Sequence, residues 1–205
     1  RYSTDASVYQ IKPLGVVLPK DTNDVLSLME YSQKNSVPLL ARGGGSSQCG
    51  QTVGESVVLD YSKHQNKILE LNVEEKYVWV QPGVVLDHLN DYLKPHGLWF
   101  PVDVSTSSRA TIGGMSANNS CGSRSLYYGN MVHNVLAIEA ILDDGSIFQF
   151  DQINKNYLAT KNNQDRLYKI IDKFIDVRQQ VGSEIDANWP TTQRRVGGYN
   201  IDLID

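Results

Sequence analysis

Cysteine is nearly absent. The 205 residues contain only Cys49 and Cys121, far apart and outside any C-x-x-C spacing, so neither a disulfide framework nor a zinc cage is signalled. The four histidines, His64, His88, His96 and His133, are scattered and give no metal-ligand pattern, so no metal is expected. Long apolar runs are missing as well. No stretch is long enough to cross a bilayer, and the opening "RYSTDASVYQ" lacks the charge, apolar core and cleavage pattern of a secretory signal. The expected location is therefore cytoplasmic, in a reducing compartment. Charge of one sign is also lacking. Nineteen Lys and Arg stand against 23 Asp and Glu, a net charge of -4 without a dense basic run, so nothing points to nucleic acid as a partner.

What is present is ordinary for a globular protein: 40% apolar and 20% charged residues in a chain long enough for one large domain or two small lobes. The chain opens on Arg1 instead of Met and stops at "NIDLID" in mid-pattern, so a C-terminally incomplete piece of a longer polypeptide is expected.

Short β-branched runs alternate with helical patterns through the first half. "GVVL" reads as strand, "TNDVLSLMEYSQKN" as helix behind a capping Asp21 and Thr22, and "VPLLA" as strand. "SVVLD" and "KYVWVQPG" add two strands. "VVLDHLNDYLKPHG" adds a helix with Val85, Leu89, Tyr92 and Leu93 on one face, ended by Pro95 and Gly97. Residues 103–129 then form a long Ser-, Gly-, Asn- and Thr-rich segment, interrupted by Ile112, Met115 and Ala117 as a short packed turn or helix would interrupt it. Segments of this length inside a domain are usually functional. A strand pair follows at once, "NVLAIEAIL" and "SIFQF" about a turn at Asp144-Gly145. Next come a helix in "QDRLYKIIDKFIDVRQQVG", with Leu167, Ile170, Ile171 and Phe174 on one face, and the turn-rich "NWPTTQRRVGGYN".

The run "ARGGGSSQCGQT", residues 41–52, gives up side-chain packing directly behind an apolar strand. Backbone N–H groups converge on an anion only where no side chain blocks the approach, and Gly43, Gly44 and Gly45 meet that need. Ser46 and Ser47 add hydroxyl donors, and hydrogen bonds to a charged acceptor are worth roughly 1.5–3 kcal/mol each. A plain connector between strands explains the same glycines equally well. Two familiar nucleotide loops do not fit. The dinucleotide fingerprint meets Gln48 where its last glycine belongs and has no helix after it. The P-loop spacing places Gln51 where the phosphate-binding lysine belongs, and "ESVVLD" reads as strand.

Paired with the small-residue segment "STSSRATIGGMSANNSCG" about sixty residues on, the glycine loop resembles the FAD-binding domain of the p-cresol methylhydroxylase or vanillyl-alcohol oxidase type, as found in FAD-linked 2-hydroxy acid dehydrogenases. Those include D-lactate and D-2-hydroxyglutarate dehydrogenases and the glycolate oxidase flavin subunit. The ordered set "VPLLARGGGSSQCGQTV", "VWVQPGVVLDHLNDYLKPHGLWFPVDVSTSSRATIGGMSANNSCG", "YYGNMVHNVLAIEAILDDGSI" and "GGYNIDLI" carries that resemblance over most of the chain.

The resemblance implies an α+β fold of two lobes, residues 1–100 and 101–205, together making one FAD-binding domain with FAD between them. It also implies roles. Arg42, Gly43, Gly44, Gly45, Ser46 and Ser47 would hold the diphosphate. Pro101, Ser105, Thr106, Ala110, Thr111, Ile112, Gly113 and Gly114 would line the flavin, and Ser116, Asn118 and Gly122 would continue that wall. Some members link the flavin covalently through a histidine in the first loop; Gly45 and Ser46 stand there instead, so non-covalent FAD is expected.

Oxidation of a 2-hydroxy acid needs a base for the hydroxyl proton and a cation for the carboxylate, and no residue of this chain is assigned to catalysis. His133 is considered, with a structural hydrogen bond as the plainer account, as are Arg109, Arg124 and Arg195, with plain surface charge as theirs, and Cys121 is read as structural. The base is expected in a later substrate domain, beyond a G-S-E-G-T-L-like segment that the chain lacks, so the piece alone is expected to hold FAD weakly or not at all and to be inactive. A nicotinamide-dependent sugar-nucleotide reductase of the same fold and a non-catalytic nucleotide-binding module are the competing readings.

Overall fold

The computed structural model describes residues 1–152, 165–192, 194–196 and 199–203. Gly197 and Gly198 of the "GGYN" element fall outside these residues.

The run "GVV" is short and β-branched, which favours extension, and forms β1 (Gly15–Val17). Asp21 then starts α1 (Thr22–Asn35): its carboxylate accepts from the N–H groups of Asn23 and Asp24, while Ser36 ends the helix in the left-handed conformation at φ 53°. The chain extends again as β2 (Leu39–Arg42) and β3 (Val57–Asp60). These strands make a parallel sheet in the order β1-β3-β2, with Val58 facing Val16 on one side and Leu40 on the other. A central strand loses solvent on both flanks, so Val58, Leu59 and Asp60 are all buried. The register sets Arg42 opposite Asp60, so β2 and β3 end side by side and the glycine run leaves from that carboxyl edge. Ligands of open parallel sheets bind at that edge.

β4 (Ile68–Asn72) pairs antiparallel with β5 (Tyr77–Val80). Sequence patterning finds β5 and misses β4, a five-residue strand whose only long apolar side chains are Ile68, Leu69 and Leu71. α2 (Leu86–Leu93) buries Leu86, Leu89 and Leu93. The expected face is displaced at two positions: Val85 is the N-cap, and Tyr92 is 46% exposed.

The long small-residue segment condenses into α3 (Ile112–Ala117), α4 (Ser125–Tyr128) and α5 (Met131–Asn134). Met115 and Met131 are buried and anchor it from below. One apolar cluster joins them to Leu86, Val102 and Ala110. A second joins Val84, Leu89 and Leu93 to the β4–β5 pair, and Phe100 and Ile112 touch both.

β6 (Ile138–Ile141) and β7 (Ile147–Phe150) form the expected hairpin, with Gly145 at φ 82° in its turn. α6 (Arg166–Asn188) buries Leu167, Ile171 and Ile185; Phe174, expected on the buried face, is 54% exposed. Arg166 pairs with Asp143 and Asp144 of the hairpin turn, and Gln33 of α1 donates to the Asp143 carbonyl. Hairpin, α1 and α6 are thereby tied together. No helix among the described residues is long and apolar enough to cross a membrane.

Candidate functional site

The two small-residue loops meet. A methyl placed on Gly43 would collide with the Thr111 side chain, and one placed on Gly44 would collide with the carbonyl oxygen of Arg109. Glycine at these positions therefore serves close packing of one backbone against another. Where the loops touch, a groove of about 680 Å³ runs along the carboxyl edge of β2 and β3, within the size range of sites for extended small molecules.

The groove brings together Arg42, Gly43, Gly44, Gly45, Ser46 and Ser47 from the first loop. From the second it gathers Ser105, Thr106, Ala110, Thr111, Gly113, Gly114 and Asn118. Four expected residues stand outside its lining. Ile112 packs against both apolar clusters, the Ser116 hydroxyl donates to the Ile112 carbonyl at 2.9 Å, Gly122 packs on Asp103, and Pro101 is half-buried.

The loops contribute differently. In the second, the N–H groups of Arg109 and Ala110 donate to Thr106 O (2.8 Å each), Ile112 to Val84 O (2.8 Å) and Gly113 to Pro82 O (2.9 Å). The N–H groups of Ser105, Thr106, Ser108 and Thr111 donate to no described residue, so this wall is satisfied only in part and its unanswered donors are scattered. In the first, the N–H groups of residues 43–48 donate to no described residue. Orphan backbone donors are costly unless water or a ligand answers them, and six in succession along one groove are suited to an anion with many oxygens. Among the described residues the lining contains no Asp or Glu, so no carboxylate of theirs repels such an anion.

Several lining residues carry no signal in the sequence reading. Gln51 donates from Nε2 to Asn118 Oδ1 (3.0 Å), bridging the two loops, and accepts from the Ser47 hydroxyl (2.6 Å). Tyr61 and Pro82 also face the groove; burial raises the Tyr61 phenol above its ordinary value. Tyr61 follows the central strand immediately, and the rule that parallel sheets bind ligands at their carboxyl ends is the signal that finds it. Both cysteines line the groove, Cys49 exposed and Cys121 half-buried.

None of the weighed catalytic candidates lies there. His133 accepts the Asn130 N–H through Nδ1 at 3.0 Å as part of a helix cap, and borders a separate cavity of about 230 Å³ with Arg195. Arg195 pairs with Asp202 and lies over Trp189. Arg124 pairs with Asp103 at 3.7 Å and lies over Trp99. Arg109 is exposed. Among the described residues no group of three or more His, Cys, Asp or Glu could hold a metal.

A parallel edge with two glycine-rich loops in contact, and no carboxylate among the described lining residues, suits an extended anionic ligand and lacks the lysine and following helix of a phosphoryl-transfer site. The chain belongs to the FAD binding domain family, whose sequence profile matches residues 13–151, and its cofactor is FAD. It is 42% identical to D-2-hydroxyglutarate dehydrogenase of Haemophilus influenzae over 98% of this chain and 20% of that protein. It is 35% identical to glycolate oxidase subunit GlcD of Bacillus subtilis over 72% of this chain and 32% of that one. The solved structure of 6-hydroxy-D-nicotine oxidase from Arthrobacter nicotinovorans superposes with a TM-score of 0.65 at 18% identity, covering 73% of this chain and 32% of that chain. Alkyldihydroxyacetonephosphate synthase superposes at 0.59 and 24% identity, covering 70% and 26%. The fold is the α+β one of p-cresol methylhydroxylase-type FAD-binding proteins. The chain spans about a fifth of the length of the D-2-hydroxyglutarate dehydrogenases it matches.

Proposed function

We propose that the groove between the two loops holds FAD, with the N–H groups of residues 43–48 on the diphosphate and the wall formed by Ser105, Thr106, Ala110, Thr111, Gly113, Gly114 and Asn118 against the flavin end. In this reading residues 1–100 and 101–205 are the two lobes of one FAD-binding domain, and the parent protein is a dehydrogenase of a 2-hydroxy acid. The row of unanswered donors in a groove free of carboxylates carries the proposal. When bound, FAD supplies the acceptor for the hydride from the substrate carbon. This chain's residues bind it, orient it and wall off one side. No His, Asp, Glu or Lys among the described residues lines the groove, so in this reading the base and the substrate's carboxylate partner come from another part of the parent protein. No histidine is present there to form a histidyl bond to the flavin, and FAD is held without a covalent link; acid precipitation of the holoprotein should leave all of the yellow colour in the supernatant.

Ser46→Asp tests the diphosphate assignment. Ser46 is half-buried in the first loop, and a carboxylate there would face the phosphates in a groove that otherwise lacks negative charge. FAD affinity, followed by flavin absorbance and fluorescence, should fall at least tenfold with the melting temperature little changed. Unaltered affinity would falsify the assignment. Gly44→Asp is a poorer choice, because any side chain at Gly44 strikes Arg109 O and damages the loop contact itself.

A further inference from the structure

Arg42 was expected to touch the diphosphate, but its guanidinium is engaged elsewhere. The residue is 8% exposed, and its side chain folds back beneath the glycine turn. A Cβ on Gly45 would lie 2.9 Å from its Cζ and 3.0 Å from its Nε. Nη1 donates to Thr52 O at 3.0 Å and Nη2 to Thr4 O at 2.8 Å, with Arg1 O at 3.5 Å. The Tyr2 ring lies 5.6 Å away. All of these acceptors are neutral carbonyls. Among the described residues Arg42 forms no ion pair. Asp60, its partner across the strands, instead accepts from the Tyr2 hydroxyl at 2.9 Å and from Ser62, and pairs with Arg1 at 3.7 Å. A buried cation without an ion-pair partner among the described residues therefore sits directly behind the loop whose N–H groups are unanswered.

We infer that Arg42 is a positioning residue that makes the site prefer the diphosphate-bearing flavin without touching it. The inference rests on the diphosphate assignment above. Three carbonyls fix the guanidinium, and the guanidinium in turn fills the space that Gly45 leaves open at φ 66°, so the turn that aims the donors is built on the charge. Salt screens a buried charge far less than a surface one. At an effective dielectric near 20, a unit charge about 6–10 Å from a phosphate changes a binding constant by roughly tenfold to a hundredfold. A neutral flavin lacking phosphate gains nothing from it.

The experiment compares FAD and riboflavin binding to the full-length protein and its variants by fluorescence titration, with melting temperatures measured alongside. Arg42→Met should weaken FAD by roughly tenfold to a hundredfold and riboflavin by no more than about threefold, whereas Arg42→Lys, which keeps the charge and loses the fork, should retain most of the preference for FAD. Asp60→Asn supplies a test of opposite sign should Arg42→Met not fold. Removing the negative charge beside the same cation should tighten FAD a few-fold and leave riboflavin unchanged. Equal losses for both flavins in Arg42→Met, equal behaviour of the Met and Lys variants, or weaker FAD binding in Asp60→Asn would overturn the electrostatic role and reduce Arg42 to a structural clamp. A Ser46→Asp protein that still binds FAD normally would instead remove the diphosphate assignment, and this inference with it.

Discussion

At the scale of single residues, Gly44 shows how a sequence signal can be right about place and incomplete about cause. Three glycines look like bare backbone kept clear for an anion, yet Gly44 is held bare by Arg109 O, a part of the protein. Its smallest substitution is therefore informative. Gly44→Ala should destabilise the fold by about 1–3 kcal/mol through overpacking, seen as a lower urea midpoint, and should weaken FAD in step because the two loops part. An alanine variant of unchanged stability would mean that the contact yields easily. His133, weighed against a structural hydrogen bond, sits in a helix cap, and Arg124, weighed against plain surface charge, pairs with Asp103 and lies over Trp99.

Among elements, the second loop depends on a staple. Asp103 accepts from the Ser123 hydroxyl at 2.7 Å and from the Arg124 N–H at 3.0 Å, joining the segment before the wall to the turn that precedes α4. Burial pulls its carboxyl upward, but the hydrogen bonds from Ser123 and Arg124 and the Arg124 charge outweigh that, and its pKa lies below the ordinary value. A lowered folded pKa means that the staple's contribution is fully present above about pH 4, the unfolded value, and is lost as the pH falls through the folded value. Asp5, which accepts from Ser7 and Thr52, is lowered as well and adds the same sign. Urea stability should therefore decline below about pH 4, and Asp103→Asn should make that decline shallower; an unchanged slope would remove the staple from the acid response.

Most elements were legible where local pattern decides them. Asp21 announces α1, and Asp144-Gly145 announces the β6–β7 turn. β4 was missed because its identity comes from pairing with β5, and Tyr92 and Phe174 were misplaced because periodicity fixes a face without saying how wide the neighbouring surface is.

For the whole molecule, the groove has no His, Asp, Glu or Lys among its described lining residues. Its ionisable groups are Arg42, Cys49, Tyr61 and Cys121, and of these Tyr61 is a weaker acid than usual. The 205-residue chain reconstituted with FAD should show no measurable oxidation of D-2-hydroxyglutarate or D-lactate with an artificial electron acceptor, while a chain of the relatives' length should turn over. Activity from the short chain would place the base within it.

The sequence by itself indicated the cofactor only through a family resemblance, carried by the ordered set of glycine and small-residue segments, whereas the glycine run taken alone reads equally well as a connector. It also determined that neither familiar nucleotide loop applies, since one residue at a fixed offset, Gln48 or Gln51, is enough to exclude each. Only the tertiary structure decided that residues 43–48 leave six successive N–H groups unanswered, and that the Arg42 guanidinium is engaged by the carbonyls of Thr52 and Thr4. Those outcomes depend on which carbonyl reaches which N–H across some forty to seventy residues of chain, a matter of packing that no local pattern encodes.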